Sequence, residues 1–151
     1  MNTVKRSKNS NSQQLLKKPF QFWTNLGLLV TVLVGTLIGT YLDLYFVGKG
    51  LYSFPERPFP EVFSIHIGFT LLGLPVTLVV FLSICQKLNL FGKLVAVFVL
   101  ASTMACGEKL SEGFGWFIHE TSWKHVYSLF GYTVYLLLML VVYYLVTTKK
   151  T

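Results

Sequence analysis

Charge is what this sequence has least of. Asp, Glu, Lys and Arg make up 13% of its 151 residues, against about a quarter in a soluble domain, while 53% are apolar. A soluble fold could not hide that much apolar surface behind so few charges without a very large partner interface. A bilayer can, because there the outside of the protein is meant to be apolar. Acids are scarcest, six against thirteen Lys and Arg. The net charge of +7 would suit nucleic acid, but the basic residues flank apolar runs and form no stripe interleaved with aromatics. Nucleic acid is therefore not an expected partner.

Cysteine is nearly absent too. Cys85 and Cys106 cannot make a disulfide framework. If the second and third apolar runs form a hairpin turning near 88–90, Cys106 lies about 20 Å deeper than Cys85 at the helical rise, and no bridge spans that. Both are expected reduced and buried. No Gly-rich phosphate loop follows a strand, so nucleotide binding has no support.

What is present is four apolar runs. A polar, basic segment at 1–18 (Lys5, Arg6, Lys8, Lys17, Lys18) precedes them and is expected to be disordered. Pro19 and the aromatics Phe20, Phe22 and Trp23 then suit a membrane boundary. A basic segment before an apolar run also describes a signal peptide, but this run exceeds the usual h-region and no A-x-A-like site follows it. The fold class predicted is an all-α membrane protein, a four-helix transmembrane bundle within 19–151. Its helices fall at about 23–47, 61–85, 90–118 and 126–148. A loop with Gly48, Gly50, Pro55, Pro58 and Pro60 separates the first two, and Pro75 is expected to kink the second.

Lys and Arg set the orientation. Five in the tail, Lys87 and Lys93 in the middle turn, and Lys149 and Lys150 at the end place nine on one side; Lys49, Arg57 and Lys124 place three on the other. Both termini are thus expected in the cytoplasm, with the chain in the plasma membrane. All six acids and all three histidines fall in the outer loops or outer helix halves.

Those polar residues form the candidate site. Ionisable groups cost at least about 2.5–3.5 kcal/mol each at the centre of a membrane helix. Glu108 and Glu112 are four residues apart and His119 follows seven later, so all three are expected on one face of the third helix. Gly107, Ser111 and Gly115 would let another backbone approach beside them. Hairpin arithmetic brings His66 to the level of Glu112 and Tyr132 opposite Ser111, with Ser128 and Tyr135 nearby. On the first helix Gly27, Thr31, Gly35 and Gly39 recur every four residues and lead to Asp43. The expected cluster is Asp43, His66, Glu108, Glu112, His119 and Tyr132. Taken singly, each has a plainer explanation: Glu112 could pair with Lys109, glycine stripes pack helices, and tyrosines anchor helix ends.

His119-Glu120 followed by His125 has the wrong interval for a zinc protease, whose second histidine comes four residues on. A metal on His66, His119 and the glutamates is chemically admissible, but no cofactor is expected.

Ser64-Ile65-His66, Leu74-Pro75-Val76-Thr77, Glu108 and Glu112, Gly115-Trp116-Phe117-Ile118-His119, Trp123 and Ser128 form a scattered pattern over roughly 61–146. On these residues the second half resembles a family of small, uncharacterised multi-helix membrane proteins of spore-forming bacteria. The likeness implies a small bacterial membrane protein with a polar outer loop and no assigned activity. The functional expectation is an accessory or partner-binding component rather than an enzyme, in contact with the lipid bilayer and with a membrane-protein partner or a second copy of itself. Two rivals are a proton- or cation-coupled transporter subunit and an outer-leaflet metal-dependent hydrolase.

Overall fold

The computed structural model describes residues 26–121 and 123–148, so the basic tail at 1–18 lies outside the described residues. The chain is mostly helical. Helix α1 spans Leu26–Gly48, α2 Leu74–Cys85, α3 Leu90–Gly113 and α4 His125–Thr148. Two short strands, β1 (Tyr52–Ser53) and β2 (Ile118–His119), lie in the loops after α1 and α3. Among the described residues, α1, α3 and α4 are long and apolar enough to cross a membrane, at 23, 24 and 24 residues. The segment Phe69–Cys85 is a shorter apolar helix. This is a helical membrane protein.

The second helix differs from its expected extent. Residues 61–66 are loop, and helix begins at 67. His66 sits just before it and accepts the Phe69 N–H on Nδ1 at 3.0 Å. Phe69–Gly73 is a π-helical turn, in which the Leu74 N–H reaches back to the Phe69 carbonyl. Pro75 lies at the start of α2; lacking an N–H and crowding the carbonyl four residues back, it favours a widened turn before it. The expected irregularity at Pro75 is thus this π turn.

Helix α3 starts where Asn89 Oδ1 accepts the Gly92 N–H at 2.9 Å. It ends at Gly113, five residues before the expected 118. The ending repeats that of α1. Leu51 N–H bonds to Phe46 O and Gly50 N–H to Val47 O, as Trp116 N–H bonds to Ser111 O and Gly115 N–H to Glu112 O. In each, a glycine takes a positive φ, 71° at Gly50 and 75° at Gly115, which closes the helix and turns the chain. Gly115 is therefore a helix stop rather than part of a packing stripe. The two turned-back segments meet as an antiparallel ladder, Tyr52 opposite His119 and Ser53 opposite Ile118, which roofs one end of the bundle.

Below that roof the core gathers Leu74, Leu78 and Leu82, Ala101, and Leu136, Met139 and Tyr143. Its seam is the α1 stripe. A Cβ on Gly35 would stand 2.6 Å from both Leu78 Cδ1 and Met139 Sδ, and one on Gly39 would run into Leu74. The Tyr135 hydroxyl donates to the Gly35 carbonyl at 2.9 Å. Gly107, by contrast, faces open space, so the α3 stripe does not pack within the chain. Both cysteines are free; Cys85 is buried as expected, but Cys106 is exposed.

Candidate functional site

Beneath the β ladder, polar groups from α4 and from the segment before it gather around Glu108 of α3. Its Oε1 accepts the Ser128 hydroxyl and its Oε2 the Tyr132 hydroxyl, each at 2.6 Å. Trp123 Nε1 donates in turn to Ser128 Oγ at 3.0 Å. One helical turn nearer the roof, Glu112 Oε1 lies 2.5 Å from His119 Nδ1 and accepts the His119 backbone N–H at 3.3 Å. Its second oxygen, Oε2, lies 3.5 Å from His125 Nε2. His119 Nε2 stands 2.5 Å from Glu108 Oε1, so one imidazole lies between two carboxylates. That approach is close but not directed: Nε2 is buried and has no hydrogen-bond partner of proper geometry.

The imidazole is held by rings. Trp123 stacks on it with centroids 5.5 Å apart and planes 10° from parallel, and Phe117 meets it edge-on at 4.6 Å. Tyr52 packs on Phe117 at 5.0 Å and donates its hydroxyl to Asp43 Oδ1 at 2.6 Å. Burial, with the Asp43 carboxylate beside it, pushes the Tyr52 phenol well above its ordinary value. The phenol thus stays a donor.

Of the residues expected in the cluster, Glu108, Glu112, His119 and Tyr132 meet directly. His119 does so from β2 and not from the face of α3, because Gly115 turns the chain back over its own helix. Asp43 stands beside the group through Tyr52. His66 does not join it: its ring lies against Phe54, which packs on Phe117, and its Nδ1 serves the start of the second helix. Glu112 turns to His119 and His125, while Lys109 is exposed. Tyr52, Trp123 and His125 were missing from the sequence-derived set, His125 having figured only in a rejected motif. A signal existed in Gly50-Leu51-Tyr52 and Gly115-Trp116-Phe117, two matching glycine–apolar–aromatic triplets after the two helices that end under the roof.

The fold and site define a helical membrane protein with a roofed carboxylate–histidine cluster at one end of its bundle. No protein-family model, curated protein or solved structure matches the chain.

Proposed function

We propose that the chain is a four-span, multi-pass protein of a bacterial plasma membrane, with both ends cytoplasmic and the β-ladder end outside. Its role is that of an accessory component that docks a membrane-protein partner, or a second copy of itself, at that outer end. The count of Lys and Arg supports the orientation. The segment from 67 to 85, at about 1.5 Å per residue, is close to the thickness of the hydrocarbon core.

The observation that carries the docking reading is the loop after β1, which is built rather than slack. Arg57 donates to three carbonyls, those of Phe54 and Phe63 at 2.6 Å and of Pro60 at 3.2 Å. Those bonds hold Phe59 at φ 53°, a conformation a bulky side chain rarely takes. The ring it presents is 70% exposed, next to Val62 at 73%. Strain held in place to display an apolar knob fits a binding role. A coupled transporter has less support, since below Glu108 the bundle closes on Ala101, Leu136, Met139 and Leu78, each fully buried.

Photo-crosslinking from a benzophenone side chain at position 59, in cells, tests this reading. The expected product is one adduct of defined mass, either with another membrane protein or at twice the chain's mass. It should vanish in Arg57→Ala while the chain still inserts. Recovery of monomer and lipid adducts alone defeats the reading.

A further inference from the structure

We propose that Glu108, His119 and His125 form a binding site for a divalent transition-metal ion of the zinc type, with Glu112 as the group that orients His119. The inference rests on the reading above only in taking this end of the bundle as the one facing outside, which is where the ion would come from.

Glu112 Oε1 lies against both Nδ1 and the backbone N–H of His119. An ionised carboxylate only accepts, so the imidazole proton belongs on Nδ1, and Nε2 presents its lone pair. Nε2 stands 2.5 Å from Glu108 Oε1 without being aimed at it. Two acceptors so close need a cation between or beside them. The side chains are 94% and 93% buried, from exposures of 6% and 7%, so water is not a ready substitute. Nε2 has no hydrogen-bond partner, which leaves its lone pair uncommitted.

A third donor converges on the same point. One ligand atom each from Glu108, His119 and His125 lies within 4.8 Å of the others. Two imidazoles and a carboxylate are a donor set that zinc takes with a fourth position open. At metal–ligand distances of about 2.0–2.2 Å, tetrahedral donors stand about 3.3 Å apart, so binding would draw His125 in and ease Nε2 and Oε1 apart. The His125 side chain is 44% exposed, which leaves an open approach.

The surrounding contacts are those a metal site uses. A ligating histidine gives its other N–H to a carboxylate, and a ligating carboxylate is itself hydrogen-bonded. Here Glu112 takes Nδ1, while Ser128 and Tyr132 hold the two oxygens of Glu108. The simpler occupant is a second proton on His119, paired with both acids. It accounts for Nε2 and leaves His125 as the 3.5 Å partner of Glu112 Oε2, whereas an ion would use Glu108, His119 and His125 together.

The test uses the full-length protein, purified in detergent and stripped with a chelator, so it does not depend on orientation or on any partner. Cobalt(II) is titrated in as the probe, and zinc(II) is then added to displace it. The expected result is one cobalt per chain, with visible bands of four-coordinate intensity that zinc abolishes. Glu112→Gln should weaken binding about 10–100-fold, and His125→Ala by at least as much, both with unchanged circular dichroism. His125 is exposed, so that variant keeps the test valid should buried-site variants fail to fold. A folded wild-type chain that takes up no cobalt, or a His125→Ala variant that binds as tightly as wild type, overturns the site. Neither result bears on the Phe59 adduct.

Discussion

The hydroxyl of Tyr52 donates to Asp43 Oδ1 at 2.6 Å, tying the roof to the last turns of α1. It is the one side-chain bond described between the first helix and the strands above it, and the ring that makes it also packs on Phe117 and His119. Replacing Tyr52 by Phe keeps the ring and removes the donor. A hydrogen bond to a charged group contributes about 1.5–3 kcal/mol. Tyr52→Phe should lower stability by that order, read from denaturant unfolding in detergent, and Asp43→Asn should lower it less. Unchanged unfolding in Tyr52→Phe would show that the latch carries no load.

The same phenol carries a pH dependence. Burial and the neighbouring carboxylate raise its folded-state value above the 10.0 of a free tyrosine. Below 10.0 the phenol is protonated both folded and unfolded, and its bond is fully present. As pH rises past 10.0 the unfolded chain loses the proton first, and stability falls. Wild type should therefore lose stability between about pH 9.5 and 11 more steeply than Tyr52→Phe. Parallel curves would rule this out.

Glu108 draws on two hydroxyls at once, and their contributions should be separable. Tyr132→Phe and Ser128→Ala each remove one donor to a side chain that is 93% buried, at about 1–3 kcal/mol each. In a double-mutant cycle of Glu108→Gln with Tyr132→Phe, the two losses should fail to add by about 0.5–3 kcal/mol. Strict additivity would mean the two side chains do not act on each other.

The two glycine stripes should respond oppositely. Gly39→Leu forces a side chain into Leu74 on the seam between α1 and α2, and overpacking of this kind costs about 1–3 kcal/mol. Gly107→Ala meets open space and should leave the chain as stable or more stable by about 0.5–1 kcal/mol, since glycine is the poorer helix former. Melting temperatures in one detergent decide the comparison, and a Gly107→Ala variant as damaged as Gly39→Leu would contradict the packing described.

The legibility of the site followed the range of the forces involved. Glu108 and Glu112 stood out because charge within an apolar run must turn away from lipid, and their spacing puts them on one helical face. Hairpin arithmetic set Tyr132 opposite Ser111, and its hydroxyl bonds Glu108, about one turn deeper, because two helices joined by a short loop pair nearly level by level. His66 stays outside the contacts around Glu108, because the helix begins only after it and its Nδ1 takes the Phe69 N–H. His119 was assigned to the right neighbours by a wrong route, since α3 stops before reaching it.

The sequence by itself determined the class of protein and the α1 seam. Length, apolarity and four-residue spacing are local properties, and they are satisfied within one helix and the lipid around it. Only the tertiary structure decided that Tyr52 reaches Asp43, that His119 lies between two carboxylates, and that His125 converges with them. Those contacts depend on two loops, far apart along the chain, being folded back by Gly50 and Gly115 to pair with each other. A helix period carries no information about where such a pairing falls.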